Sequence, residues 1–441
     1  MSLLDSDQQA AITRLIEHDR TLLIAGMGAG KTVVALTAAA ELLDMKAVKR
    51  VLVVALVRVC NLVWATEHMK WSHLQGLTVA LATGTPAKRR AAFSSDAQIV
   101  VVNIENIAWM VGEKLYEGFD GVVFDESSRL KSVGSVAVKR LRHRLKGFKW
   151  RVCMSGTPVS EGLLDLYAQM LLLGLHTVLA ATKQDYLDKW FMPTDYERHS
   201  WAPRERSGES IARAISVYTH VVPDYTHTLP PLTIDPVKVL MPPEAMKEYR
   251  QLARTSVLAD VTAVNAAVLQ GKLQQVAAGF VYTDSDEKNA RTIHDAKVIA
   301  AREWIAEAAE HGERAIIVYQ WDWQRDALVA QGVELFTSTV KNYERWNSGQ
   351  IAVMGLHPKS AGHGLNLQDG GFSMLWLSPV WSRDLWDQTI ARLWRRGQSS
   401  PVRVNVLVAE DTVDNFVLDR LENKEAALRG FLDHLESIQT V

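Results

Sequence analysis

Cysteine is nearly absent: the 441 residues contain two, Cys60 and Cys153, and both sit in strand-like apolar runs. Two isolated thiols exclude a disulfide framework and offer no metal-ligand spacing, which points to a reduced intracellular protein. A long apolar run is missing too. No uninterrupted stretch reaches the ~18 residues of a membrane span, and the N-terminal MSLLDSDQQAAITRLIEHD is polar and acidic rather than basic and then apolar. A soluble, cytoplasmic protein without a membrane partner is expected. Net charge is absent as well, because Lys plus Arg (49) nearly cancel Asp plus Glu (50). Any polyanion-binding surface must therefore come from local segregation of charge. Low-complexity tails and short internal repeats are also lacking. What is abundant is apolar sequence, at 48%, enough for two cores of roughly 200 residues each.

Short apolar runs alternate with longer helical patterns through the first 230 residues, with strands expected at Leu22–Ala25, Val51–Leu56, Ile99–Asn103, Val122–Phe124 and Val152–Met154. That rhythm predicts an α/β fold with a mainly parallel, helix-covered sheet. Six of the 13 prolines then fall within Pro223–Pro243, where they interrupt regular structure. The expected organisation is an N-terminal lobe over 1–222, a proline-rich connection over 223–243, and a second lobe over 244–441 that opens with a helical insertion. Strands of the second lobe are expected near Ala315–Tyr319, Ile351–Leu356, Met374–Leu377 and Val402–Val408, and the end from Thr412 reads as a long amphipathic helix.

AGMGAGKT, Ala25–Thr32, follows the first strand and opens a helix. Backbone N–H groups of such a loop surround phosphates, and the helix N-terminus adds a favourable field. Gly28, Ala29 and Gly30 supply the cradle, Lys31 reaches the β- and γ-phosphates, and Thr32 can ligate magnesium. A dinucleotide fingerprint is the rival reading of the glycines, and lysine at position 31 argues against it. GVVFDESS ends a hydrophobic strand with Asp125 and Glu126. Asp125 is expected to hold magnesium and Glu126 to position or activate the attacking water. SGTP, Ser155–Pro158, follows another apolar strand and could relay between nucleotide and polymer, although a Thr-Pro turn is its ordinary meaning. Near the other end, QTIARLWRRGQ places Gln388, Arg392 and Arg395 at i, i+4 and i+7 of a helix expected to begin near Arg383, so that all three share a face. One or two guanidiniums there could act as arginine fingers on the transferring phosphoryl.

The stretch Ser127–Ser160 holds nine Lys or Arg residues, Arg129 and Lys131 among them, and no acid. A basic helix beside an ATPase site can contact phosphates, though a solvated helix face is the plain alternative. The 14 tryptophans mostly lie in apolar or helical patterns and are expected in cores, Trp64, Trp71 and Trp376 included.

In order, AGMGAGKT, DESSRLK, SGTP, AGHGLNLQ and QTIARLWRRGQ resemble superfamily-two helicase-like ATPases, and specifically the Swi/Snf (sucrose non-fermenting) family. Lys131 after the acidic box, the Gly364-Leu365-Asn366-Leu367 run and the terminal Gly397-Gln398 carry the Swi/Snf likeness, and the small size is similar to stand-alone bacterial and bacteriophage versions. This resemblance implies two RecA-like lobes with ATP and magnesium in the cleft between them, a Q motif in which Gln8 reads adenine, and Gln388 beside the nucleotide. It also implies nucleic-acid contacts from Lys359-Ser360 and from Trp381 and Arg383. Departures are Ala25-Gly26 where the family commonly carries an acidic pair, Leu56 for proline, and Ser128 and Trp394 where histidine is usual. The function implied is a monomeric, DNA-stimulated ATPase that translocates on double-stranded DNA, with branched or single-stranded DNA as other polymers. A strand-separating or branch-migrating helicase, and an ATP-driven remodeller of a protein partner, are the alternatives.

Overall fold

A computed structural model describes residues 4–130, 136–160, 162–198, 200–258, 261–263, 265–283, 290–337, 340–359 and 366–439. The chain divides into two compact units, Met1–Tyr225 with Lys424–Val441, and Thr226–Asn423.

The first unit is built on seven strands: β1 (Arg20–Ile24), β2 (Val51–Ala55), β3 (Val79–Ala82), β4 (Ile99–Asn103), β5 (Gly121–Phe124), β6 (Trp150–Ser155) and β7 (Thr219–Val221). They are ordered β3-β4-β2-β5-β6-β1-β7, and every pairing is parallel. Strands β2 and β4 are buried along their whole length, as expected for a sheet covered on both faces, which is why VLVVA and IVVVN read as continuous apolar runs rather than alternating ones. Leu22, Val54, Val102, Phe124 and Cys153 from the sheet share a core with Leu166 and Met170, and Phe431 and Leu435 near the chain end join it.

The main sheet of the second unit has six strands: β8 (Leu232–Val239), β9 (Ala315–Val318), β10 (Glu334–Leu335), β11 (Val353–Leu356), β12 (Ser373–Trp376) and β13 (Val402–Ala409). Their order is β8-β13-β12-β9-β11-β10, again all parallel. An α/β fold with a mainly parallel sheet in each unit is therefore what the chain adopts. The expected helical insertion is the pair Pro243–Thr255 and Ala266–Ala278.

Two features differ from the sequence-based expectation. The proline-rich stretch contributes the eight-residue strand β8, which pairs only with β13 at the sheet edge. Pro236 is tolerated there because an edge strand needs no hydrogen bond on its outer side. The final helix, Val413–Gln439, starts in the second unit, yet its residues from Lys424 belong to the first.

Candidate active site

The phosphate cradle has the form its sequence predicts. Strand β1 ends at Ile24, Gly28 and Gly30 both take φ +81°, and Lys31 begins the helix Lys31–Asp44. Left-handed backbone at two positions turns successive N–H groups inward, which glycine allows without a Cβ penalty. Lys31 Nζ donates to the carbonyls of Ala25 (2.9 Å) and Gly26 (3.3 Å). Gln8 closes the loop from the preceding helix. Its backbone and side chain form a capping box with Asp5, and its Nε2 donates to Ala29 O at 3.2 Å. A Cβ at Gly30 would lie 2.4 Å from that same Nε2. Tyr225 Oη donates to Met27 O and so ties the end of this unit to the loop.

Strand β5 delivers the carboxylates. Asp125 is 4% and Glu126 6% exposed, and Asp125 N–H still donates to Val54 O (2.8 Å), so the pair caps the strand end rather than a solvated turn. Asp125 Oδ2 accepts from the indole Nε1 of the fully buried Trp64 at 2.9 Å, and Oδ1 accepts from Glu126 N–H at 3.0 Å. Burial, followed by repulsion from Glu126, pushes the Asp125 carboxyl up to about 6, against the pull of Trp64 and the Lys31 ammonium. Glu126 holds φ +47°, a sparsely populated conformation for a non-glycine residue that costs roughly 1–3 kcal/mol.

The SGTP segment packs beside both elements. A Cβ at Gly156 would meet Ala25 O at 3.2 Å and Lys31 Nζ at 3.6 Å. Ser155 Oγ donates to Ser128 Oγ at 3.2 Å, and Ser127 Oγ donates to Gln169 Oε1 at 2.9 Å, while Gln169 Nε2 donates to Pro158 O at 2.6 Å. The acidic box and SGTP are thus joined through four buried side chains, Ser127, Ser128, Ser155 and Gln169. Trp64, Gln169 and Tyr225 carried no local sign of these roles; Trp64 reads only as an apolar core residue, and its partner lies 61 positions away.

A magnesium nucleotide suits this set. The available ligands, the Thr32 hydroxyl and the Asp125 carboxylate, are hard oxygen donors of the kind Mg²⁺ takes. Lys31 and the helix N-terminus supply positive field for phosphate.

In the second unit the arginine segment departs from expectation. The helix Arg383–Ile390 ends before either candidate finger, so Gln388, Arg392 and Arg395 do not lie on one continuous helical face. The chain turns because Arg392 O accepts from Leu367 N–H (3.1 Å) and Leu393 enters the core. Gln398 Nε2, within 3.3 Å of the carbonyls of Gln368, Gly371 and Leu393, secures the turn, and Gly397 before it takes φ +96°. Gln388 and Arg392 are buried and Arg395 is half-buried. Trp394, where the family usually has histidine, donates from Nε1 to Pro230 O at 2.8 Å.

Among the nucleic-acid candidates, Lys131 and Ser360 lie outside the described residues. Arg129 and Lys359 are exposed. Trp381 is half-buried, with its indole Nε1 donating to Gln274 Oε1 (3.0 Å) and the Arg420 guanidinium 6.0 Å from its ring centre. Arg383 donates to Asp387 Oδ2 (2.7 Å) and to Leu421 O (3.0 Å), which gives it a structural task. Of the basic stretch, Arg151 is a core residue that donates to Phe148 O and Leu173 O. Arg129, Lys139, Arg140, Arg142, Arg144, Lys146 and Lys149 are all exposed.

Comparison with known proteins follows the same lines. A family description, SNF2-related domain, matches residues 8–284. The chain is 31% identical to putative protein p41 of Acyrthosiphon pisum secondary endosymbiont phage 1, over 95% of each chain. It is 24% identical to an uncharacterized ATP-dependent helicase of Mycoplasma genitalium over 84% of this chain but 36% of that protein. A DNA repair and recombination protein RAD54-like of Drosophila grimshawi is 30% identical over 23% of this chain and 14% of its own length. A solved Sulfolobus solfataricus SWI2/SNF2 ATPase core in complex with dsDNA aligns over 97% of this chain and 92% of that one at 19% identity, with a TM-score of 0.45.

Proposed function

The chain belongs to the SNF2-related family of helicase-like, ATP-hydrolysing proteins, and on that premise we propose that it is a DNA-stimulated ATPase that moves along double-stranded DNA. One observation carries the reading: Lys31, Asp125, Glu126 and Gly156 converge on the phosphate cradle at the carboxyl ends of β1, β5 and β6. That is where open parallel sheets bind their ligands.

In this reading the N–H groups around Gly28–Gly30, with Lys31, grip the phosphates, and Gln8 holds the loop and reads the base. Thr32 and Asp125 would hold magnesium, which when bound neutralises phosphate charge. Glu126 orients a water and takes its proton as the water oxygen bonds to the γ-phosphorus and the bond to ADP breaks. Arg392 and Arg395 stabilise the charge that develops on the transferring group. Stepping then follows from states that differ in affinity for ATP and for products, since equal affinities shift no equilibrium.

Support for DNA comes from the seven exposed cations between Arg129 and Lys149 in a stretch without one acid. The name of the RAD54-like relative points the same way. Arg129, Lys131, Lys359, Ser360, Trp381 and Arg383 are assigned to the polymer, Arg383 chiefly through the helix it starts.

The deciding experiment measures ATP turnover with single-stranded, double-stranded and branched DNA and with RNA, at two salt concentrations. Stimulation greatest with duplex and falling steeply with salt is expected. Lys31→Ala abolishes turnover, and Arg392→Ala binds ATP yet turns it over at least ~10³-fold more slowly. DNA-independent turnover sinks the polymer reading, and unchanged turnover in Arg392→Ala removes the finger. The helicase name of the Mycoplasma relative favours strand separation as the second reading. Unwinding of a forked duplex supports it, whereas displacement of a third strand without unwinding supports translocation alone.

A further inference from the structure

The second unit buries an ion pair that no step of hydrolysis uses. Lys297 Nζ lies 2.6 Å from Asp414 Oδ2, with side chains 2% and 0% exposed. Such a pair is a poor source of stability, because desolvating both ions offsets their attraction. Its role is better sought in what it holds. Lys297 also donates to Ser378 Oγ (3.1 Å), Gln324 Nε2 donates to the same oxygen (3.2 Å), and that hydroxyl donates to Leu377 O (2.7 Å). Both lone pairs and the proton of Ser378 are therefore in use, which leaves its hydroxyl a single orientation.

From Ser378 the network runs in two directions through Gln320, which lies just beyond the end of β9. Gln320 Nε2 donates to Ser378 O (3.0 Å) and Pro379 O (2.9 Å). Pro379 O also accepts from Gln274 Nε2 (2.6 Å), whose Oε1 accepts from Trp381 Nε1 (3.0 Å). On the other side, Gln320 O pairs with His357 Nε2 (3.1 Å), and His357 Nδ1 accepts from Lys359 N–H (3.1 Å). One neutral imidazole with its proton on Nε2 satisfies both bonds.

Strand β9 lies between β11 and β12, and Lys359 and Trp381 follow those two outer strands. The strands that lead into them are two strand spacings, or about 10 Å, apart. Gln320 bonds to both sides of that gap.

We propose that Gln320 is a positioning residue that sets the spacing between two nucleic-acid-contacting segments, the one at Lys359 and the one at Trp381, with Lys297–Asp414 as its buried anchor. This rests on the reading of Lys359 and Trp381 as DNA contacts. Gln320 and His357 hold these connections by the backbone groups of Ser378, Pro379 and Lys359, and Gln274 adds the Pro379 carbonyl and the Trp381 indole N–H. A register fixed this way sets which phosphates the two segments can reach together.

The test is binding of a short fluorescein-labelled DNA duplex, measured by anisotropy, beside unstimulated ATP turnover and thermal unfolding. Gln320→Met removes both side-chain donors and keeps the volume. It is expected to weaken duplex binding roughly tenfold to a hundredfold, the equivalent of two net hydrogen bonds, while kcat and KM for ATP without DNA stay unchanged. Trp304→Phe, which loses the bond to Asn405 in the same unit but outside the network, is the control for general loosening. Duplex affinity within twofold of wild type in folded Gln320→Met overturns the proposal, as does an equal loss in Trp304→Phe. If Gln320→Met does not fold, Gln274→Met decides by the same criteria. Lys359→Ala and Trp381→Ala separate the two layers. If both weaken binding and Gln320→Met does not, the positioning inference alone fails. If neither weakens binding, the contact reading fails and the inference with it.

Discussion

Replacing Asp125 by asparagine should make the ligand-free protein more stable while destroying its activity. Its carboxyl is raised from 3.8 to about 6 by burial and by Glu126, and at 1.36 kcal/mol per pH unit this amounts to about 3 kcal/mol. The sign follows from linkage. A carboxyl raised by folding prefers its proton in the native state, so its contribution is fully present below the unfolded value of 3.8 and is lost as pH rises through about 6. At about pH 8 the ionised group therefore opposes folding by about 3 kcal/mol. Asparagine removes the charge and keeps an oxygen for Trp64 Nε1, but gives up the second acceptor now used by Glu126 N–H, a loss of about 1 kcal/mol. The net gain is about 2 kcal/mol at alkaline pH, a Tm rise of about 4–8 °C for a unit of this size. Near pH 5 the native carboxyl is largely protonated while the unfolded one is still ionised, so the penalty falls to about 1.6 kcal/mol and the net gain to about 0.5 kcal/mol. Scanning calorimetry of both proteins in EDTA at the two pH values checks this, with ATP turnover measured in parallel. A lower Tm for Asp125→Asn at alkaline pH, or the same rise at both, would refute the reasoning.

Other expectations are simpler to state. Cys60 and Cys153 are fully buried, and burial above all pushes the Cys60 thiol up to about 12 and Cys153 higher still; neither should react with Ellman's reagent in the native protein, and rapid labelling before unfolding would contradict the packing. Gly30→Ala meets both a φ of +81° and a Gln8 nitrogen 2.4 Å away, whereas Gly26 has no atom within 4 Å of a Cβ. Urea unfolding should place the first at about 1–2 kcal/mol less stable and the second within about 0.5 kcal/mol of wild type, and equal losses would mean the cradle is not shaped as described. Lys297→Met alone should lose about 3–5 kcal/mol by stranding a buried carboxylate, and adding Asp414→Leu should recover most of it. A double variant no more stable than the single one would show that the pair does not act as an ion pair.

What could be read in advance divides along physical lines. Strands β2 and β4 were legible because burial on both faces leaves an unbroken apolar run, and β4 occupies the expected residues Ile99–Asn103. The strands that were missed are edge or fragmentary ones. Val79–Ala82 is half-exposed along most of its length, Glu334–Leu335 has two residues, and Leu232–Val239 contains a proline. Each needs a neighbouring strand, not its own composition, to be a strand at all. The phosphate cradle was legible for the opposite reason, since its requirements fall on consecutive residues. The arginine segment was misread where a tertiary bond overrode local propensity. Nothing in QTIARLWRRGQ forbids a longer helix, but Leu367 N–H takes the Arg392 carbonyl and the helix stops at Ile390.

The same division explains why the contiguous motifs understate the machine they belong to. Lys359 and Trp381 each stand in a short recognisable stretch, yet what relates them is Gln320, His357 and Gln274, none of which lies in either stretch. A residue that touches a ligand is constrained by the ligand's chemistry and leaves a local signature. A residue that fixes the distance between two such segments is constrained only by where the sheet places it, and glutamine serves because it donates and accepts at once. Positioning groups of this kind become visible when the order of the strands is known, and in this chain that order sets Gln320 between the two segments it joins.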